Sequence, residues 1–274
     1  MTRQSTAVAI LLLILPALGA AAQVTRNVDY LPDRDYADGR DLLDVHMPDR
    51  ADNVPVIVYF HGGGLLFGDK SLGDPVAERL LPMGIGLVSA NYRLSPAVQH
   101  PAHVQDAAAA FAWAAGNIAD YGGDPESLYV AGHSAGAYLA ALLAVDPDHL
   151  TDQGISPARL RGAIPISPFL YVEETAPERP MTVWGTNPDD WLAASVTPHI
   201  GPNRPPMLLL YADGDDDWRR AQNERFAAAM QVAGNDVRAE ELPGRDHRSI
   251  IDKINAPDDQ VGRRIRTFIF PSAD

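Results

Sequence analysis

From residue 26 onward, short apolar runs alternate with longer stretches in which apolar residues recur at helical spacing. The runs at Leu42–Met47 (LLDVHM), Val54–Phe60 (VPVIVYF), Ile85–Ala90 (IGLVSA) and Leu128–Ala131 (LYVA) predict strands. So do Gly162–Ile166 (GAIPI), Met207–Ala212 (MLLLYA) and Val237–Leu242 (VRAEEL). Several of those from Val54 onward are continuously apolar, the signature of central strands covered on both faces. Between them, Pro101–Tyr121, Ala135–Val145 and Arg219–Ala233 predict helices, the last with Phe226 and Met230 on one face. This alternation predicts an α/β fold with a mostly parallel central sheet flanked by helices. Residues 167–205 fit the rhythm poorly, with prolines at 168, 177, 180, 188, 198, 202 and 205 and tryptophans at 184 and 191. An irregular segment of that length between two core strands is expected to be a cap-like insertion over a pocket.

A chain of 274 residues with 46% hydrophobic and 21% charged residues is ordinary for one soluble domain, here residues 23–274. The formal net charge of −14 leaves no basic face for a nucleic acid, so no such partner is expected. Residues 1–22 read as a secretory signal peptide: Arg3, an apolar run from Ala7 to Leu15, Pro16, then Ala20-Ala21-Ala22 as the cleavage site before Gln23. The expected location is therefore secreted or periplasmic, with no membrane span left after the leader is removed. There is no cysteine, hence no disulfide and no lipid attachment at that junction. Oligomeric state has no signature in the sequence.

Gly132-His-Ser-Ala-Gly136 matches G-x-S-x-G, a pattern that chance alone supplies in about one such chain in ten. Its context carries more weight. LYVA leads in, AYLAALLA leads out, and a serine on a sharp strand-to-helix turn exposes its hydroxyl. Ser134 is thus the candidate nucleophile. The flanking glycines are expected to let the chain turn without a Cβ clash. Upstream, His61-Gly62-Gly63-Gly64 directly follows VPVIVYF. With the amide of Ala135, those of Gly63 and Gly64 form a candidate oxyanion hole. A phosphate loop is disfavoured, because Lys70 and Ser71 follow Asp69 rather than glycine.

A serine needs a base and an orienting acid, in this architecture in the order serine, acid, histidine. His149, His199 and His247 follow Ser134, and only His247 follows the last predicted strand, in ELPGRDHRSII. His247 is the candidate base. Asp213, Asp215, Asp216 and Asp217 cluster after MLLLYA; Asp215 is preferred as the acid, the others as solvated or helix-capping. The same cluster with Glu224 imitates a calcium loop, but Trp218 stands where that loop needs glycine. His100 and His103 start a helix after Pro101 and lack further metal ligands at suitable spacing. No metal or organic cofactor is expected.

HGGG, GHSAG, NYRLSP (Asn91–Pro96) and YGGDPESLYVAGHSAG (Tyr121–Gly136) together resemble the α/β-hydrolase carboxylesterases, in particular the hormone-sensitive-lipase-like and feruloyl/acetyl-xylan-esterase-like group. The likeness runs from about Asp41 to Phe268. It implies the α/β-hydrolase fold with a small insertion between the sixth and seventh strands. It also implies Ser134 as nucleophile, His247 as base, and Gly63, Gly64 and Ala135 as oxyanion donors. The group's acid stands seven residues before a glutamine; Gln222 then points to Asp215. Leu65 departs from the tryptophan many members carry after HGGG, which leaves the pocket shape open. The expected activity is hydrolysis of small or short-chain carboxylic esters. An amidase, arylformamidase or peptidase using the same residues, and a non-catalytic binding module, are the alternatives.

Overall fold

Along the strand Val54–Phe60, Val56, Val58 and Phe60 face one side and Ile57 and Tyr59 the other, and all five are buried. A run apolar on both faces needs a layer on each, and the fold supplies both. The computed structural model describes residues 22–32, 36–175 and 179–271. Its strands are β1 (Gln23–Asp29), β2 (Leu42–Met47), β3 (Val54–Phe60), β4 (Gly86–Ala90), β5 (Gly123–His133), β6 (Leu160–Ile166), β7 (Met207–Gly214) and β8 (Val237–Asp246). They form one sheet in the order β1-β2-β4-β3-β5-β6-β7-β8. β2 runs antiparallel to both β1 and β4, and every later pair is parallel.

The helices are α1 (Asp74–Leu80), α2 (Ala102–Asn117), α3 (Ala135–Val145), α4 (Asp148–Thr151), α5 (Arg179–Trp184), α6 (Pro188–Ala194), α7 (Asp217–Val232), α8 (Ser249–Asp252) and α9 (Val261–Ile269). The Phe60 face of the sheet is covered by α2, α3 and α7 through Phe111, Tyr138, Phe226 and Met230. The Tyr59 face is covered by α1 and α9 through Val76, Leu80, Ile265 and Ile269. Every residue of α3 is buried, which is why its sequence, AGAYLAALLAV, is apolar all round. The outer strand β8 exposes Arg238 and Glu241, charges that discourage edge-to-edge pairing.

The predicted strands and helices appear at their expected places, with shifted ends. β1, α1 and α9 were not foreseen; β1 (QVTRNVD) is an edge strand with mostly exposed side chains and little apolar pattern to read. The irregular segment between β6 and β7 holds α5, α6 and short 3₁₀ turns. Some of its prolines start helices rather than prevent them: Pro188 opens α6 after the Asn187 cap, and Pro198 opens the turn Thr197–His199. The predicted leader lies, up to residue 21, outside the described residues. Among the described residues no helix is long and apolar enough to cross a membrane.

Gly132 and Gly136 spare the turn a Cβ clash, as expected, but not through their own backbone dihedrals. Neither has a positive φ; the strained residue is Ser134 itself, at φ 54° and ψ −112°. A Cβ on Gly136 would lie 1.9 Å from the carbonyl oxygen of Phe60, and one on Gly132 would lie 2.4 Å from the carbonyl carbon of Gly136. The glycines let the turn press against the end of β3. Gly136→Ala is therefore expected to lower stability by about 1–3 kcal/mol through overpacking, measured as the urea midpoint. A midpoint equal to that of the unchanged chain would contradict this packing role.

Candidate active site

The carboxyl ends of β3, β5, β7 and β8 lie along one edge of the sheet, where parallel α/β folds gather their functional groups. β5 ends at His133, and α3 begins at Ala135. Ser134 alone forms the turn between them. Its N–H donates to the Ile166 carbonyl at 2.9 Å, and its carbonyl accepts the first helical bond from Tyr138 at 3.0 Å. A backbone held in such a sparsely populated conformation costs about 1–3 kcal/mol, which the packing around the turn must offset. The hydroxyl stands at the N-terminus of a fully buried helix, where negative charge is favoured.

His247 follows β8 directly, and its Nε2 lies 2.9 Å from Ser134 Oγ. Its Nδ1 lies 2.7 Å from Asp215 Oδ1. Because the carboxylate only accepts, Nδ1 carries the hydrogen and the Nε2 lone pair is left for the serine proton. Asp215 sits in the turn after β7 and is 5% exposed. Its Oδ2 accepts from Ser167 Oγ at 2.6 Å and from the Ala212 N–H at 3.0 Å. Burial alone would raise this carboxyl, but the bonds from His247, Ser167 and Ala212 outweigh it and hold it below the ordinary range. Asp215 is thus a fixed anion beneath the imidazole.

The other aspartates have separate tasks. Asp213 accepts from the N–H groups of Gly244 and Arg245, at 3.0 and 3.2 Å, and so ties down the loop that delivers His247. Asp217 pairs with Arg220 at 2.7 Å. Asp216 is the residue before α7, yet its side chain makes no capping bond, against the capping expectation.

Three supporting residues had no signature in the sequence. Ser167 bonds Asp215, and Arg219 donates from Nη1 to the Ser167 carbonyl at 3.0 Å. His133, the residue before the serine, donates from Nε2 to the His247 carbonyl at 2.7 Å. Burial first, and the neighbouring His247 next, push the His133 pKa down to about 3. His133 therefore stays neutral and holds His247 by its backbone. A local signal existed only for Gln222, whose Oε1 accepts from the Leu170 N–H at 2.8 Å and ties α7 to the chain beyond β6.

The glycine loop is built on β3. His61 is fully buried, stacks on Tyr92 with ring centroids 4.3 Å apart, and accepts the Tyr92 hydroxyl on its carbonyl at 2.7 Å. Gly63 (φ 123°), Gly64 (φ 66°) and Leu65 (φ 65°) then take left-handed conformations in succession. A Cβ on Gly63 would stand 1.9 Å from the Phe67 carbonyl oxygen, so no other residue fits there. The N–H groups of Gly63, Gly64 and Ala135 meet no acceptor among the described residues. Leu65 is fully buried, whereas Leu66 and Phe67 are exposed at the mouth.

The remaining candidate residues are occupied elsewhere. Lys70 bonds Asp44 at 2.7 Å, so it offers nothing to a phosphate. His149 and His199 both face Asp146 at the end of α3, at 3.5 and 3.2 Å. His103 bonds Ser95 Oγ at 3.1 Å and is fully buried. One group of possible metal donors, Asp44, His46 and Asp74, occurs among the described residues, with ligand atoms within 4.8 Å. Arg26 Nη1 lies 2.6 Å from Asp44 and 2.7 Å from Asp74, and Lys70 also bonds Asp44. Two protein cations already neutralise that group, which does not fit a bound divalent ion.

Comparison with known proteins agrees with this architecture. The esterase LipQ of Mycobacterium tuberculosis is 33% identical over 247 residues. The alignment covers 83% of this chain and 57% of LipQ, so the chain spans little more than half of that protein's length. Kynurenine formamidase of Danio rerio is 28% identical over 250 residues, covering 87% of this chain and 82% of that protein. The solved structure of an esterase from Pyrobaculum calidifontis superposes with a TM-score of 0.73 at 25% identity, covering 90% of this chain and 86% of the other. A family model described as the alpha/beta hydrolase fold matches residues 57–251, and the chain belongs to that family, as the resemblance of its motifs implied.

Proposed function

We propose that the protein is a serine hydrolase of small or short-chain carboxylic esters. The carrying observation is the unbroken hydrogen-bonded line from Ser134 through His247 to Asp215, beside three N–H groups that meet no acceptor among the described residues. Ser134 Oγ attacks the ester carbonyl while His247 Nε2 takes its proton. The carbonyl oxygen, now negative, is received by the amides of Gly63, Gly64 and Ala135. Collapse of this intermediate expels the alcohol, which leaves with the proton from His247. Water, deprotonated by His247 in turn, attacks the acyl-serine, and the acid departs as Ser134 regains its hydrogen. Asp215 stays ionised throughout and holds the imidazole tautomer. The esterase names of LipQ and the Pyrobaculum calidifontis protein support the reading.

A second reading, hydrolysis of an aryl formamide, is favoured by the kynurenine formamidase alignment, which spans most of both chains. The same groups would serve it, with an aniline as leaving group. Both readings take in export: β1 begins at Gln23, so cleavage after Ala22 would leave all eight strands whole.

The test is a substrate panel of p-nitrophenyl acetate, p-nitrophenyl butyrate, methyl ferulate and formanilide. Release of p-nitrophenol well above the rate of an inactivated sample is expected. No release from either p-nitrophenyl ester would refute the esterase reading, and turnover of formanilide alone would establish the second.

A further inference from the structure

Arg179 opens α5 in the segment between β6 and β7, and its guanidinium lies against the glycine loop. Its Nε and Nη2 are 3.7 and 3.8 Å from the point a Cβ on Gly64 would occupy. Its Cζ also sits 5.5 Å from the ring centroid of Phe169. Phe169 stacks on Tyr138 at 4.8 Å, and Tyr138 makes the first helical bond to Ser134. Arg179 therefore bridges the two walls that flank the serine, one carrying the candidate oxyanion amides and the other aromatic.

Among the described residues its charge has no counterpart. Arg79, Arg93 and Arg220 each hold a carboxylate at 2.7 or 2.8 Å, but among the described residues Arg179 has no hydrogen bond and no acid partner. Asp215, the buried carboxylate 3.7 Å from Arg219, is already committed, because it accepts from His247, Ser167 and Ala212. The neighbouring cation, Arg219, is also buried and directed at the Ser167 carbonyl. Burial lowers the proton affinity of the Arg179 guanidinium; burial first, and the charge of Arg179 as a smaller contribution, lower that of Arg219. In a chain with 36 acidic and 22 basic side chains, a structural arginine could readily find a carboxylate, and a merely solvated one would stand clear of the protein. A half-buried guanidinium against the glycine loop, with no partner among the described residues, is arranged for an anion that arrives from outside.

We propose that Arg179 is a specificity residue that receives a carboxylate carried by the substrate, so that the preferred substrates are monoanionic esters. The proposal rests on the esterase reading and narrows its substrate class. A planar guanidinium can hold the carboxylate through two parallel N–H bonds, with the Phe169 face keeping its plane fixed.

The experiment compares matched esters on the full chain, reading the ratio of kcat/KM for anionic over neutral substrate. p-Nitrophenyl hemisuccinate against p-nitrophenyl butyrate places the charge on the acyl side, and 4-acetoxybenzoate against phenyl acetate places it on the leaving alcohol. In Arg179→Gln, the ratio is expected to fall by about 10- to 100-fold in one of the two pairs, mainly through KM of the anionic ester. Arg179→Lys should retain part of the preference and Arg179→Glu should depress it further. Raising the salt to about 0.5 M should compress the ratio in the unchanged chain and leave that of Arg179→Gln nearly constant. A uniform catalytic defect, or a general loss of folded protein, cancels in the ratio. If both ratios stay within about twofold in all three variants while Ser134-dependent hydrolysis of the butyrate ester persists, this inference is overturned and the esterase reading stands. If the unchanged chain hydrolyses neither neutral ester, the esterase reading itself fails.

Discussion

Ser134→Ala is expected to reduce kcat/KM for p-nitrophenyl butyrate by about 10⁴- to 10⁶-fold, with little change in folding. The residual rate would come from binding and from the amides of Gly63, Gly64 and Ala135, which do not depend on the serine hydroxyl. Asp215→Asn should cost about 10⁴-fold, because an amide at that position presents donors as well as an acceptor and can stabilise the wrong tautomer of His247. The three neighbouring aspartates provide the control. Asp217 is nearly fully exposed in its pair with Arg220, and the Asp216 side chain caps nothing. Asp213 bonds only backbone N–H groups, which the carbonyl oxygen of an asparagine can also accept. Steady-state rates of Asp213→Asn, Asp215→Asn, Asp216→Asn and Asp217→Asn therefore separate by orders of magnitude if Asp215 orients the base. A loss at Asp215 no larger than at its neighbours, or full activity in Ser134→Ala, would remove the proposed mechanism.

The parts of this site that could be read from sequence are those tied to strand ends. A glycine run after an apolar run, a serine turn before an alanine-rich helix and a histidine after the last strand all mark positions where the chain leaves the sheet. The described residues bring Ser134, Asp215 and His247 together for that reason, although up to 113 residues separate them in the chain. Ser167, Arg219 and His133 follow another logic. Each is an ordinary polar residue whose partner lies 48 to 114 positions away, twice as a backbone carbonyl, so no local periodicity marks it. For Gly132 and Gly136 the need to avoid a Cβ was legible from the turn, but not its full cause: a Cβ on Gly136 would meet the end of β3, a contact across the fold, and one on Gly132 would meet Gly136. Segment 167–205 reads as irregular because its prolines interrupt any helical pattern, yet Pro188 and Pro198 stand at helix starts, where a missing N–H costs nothing. β1 was overlooked since an edge strand with exposed side chains carries almost no hydrophobic pattern.

Stability is expected to fall steeply on acidification between pH 6.5 and 4, well before ordinary carboxylates protonate. The cause is a set of buried neutral histidines. Burial drives His61 and His100 down to about 4 and His103 and His133 down to about 3, each from 6.5. His61 is stacked on Tyr92, and His103 bonds Ser95 Oγ while the charges of His100 and Arg93 further oppose its protonation. His100 also feels the charges of His149 and His199, which oppose its protonation more than Asp146 favours it. The unfolded chain takes up these protons near pH 6.5 and the folded chain does not, so stability rises with pH across the interval and is lost as pH falls through it. Each group held neutral in the folded state contributes a slope of about 1.4 kcal/mol per pH unit, until the pH nears its folded value. The depressed carboxyl of Asp215 acts in the same direction at lower pH, where its contribution is lost only as protonation approaches its folded pKa. Urea unfolding at pH 7, 6, 5 and 4.5 measures the slope directly. His103→Asn, which touches none of the groups around Ser134, should be less stable at pH 7 but lose stability less steeply on acidification, by about 1.4 kcal/mol per pH unit. A stability that is flat between pH 6.5 and 4.5 would mean that these imidazoles charge without resistance and are not buried as the fold requires.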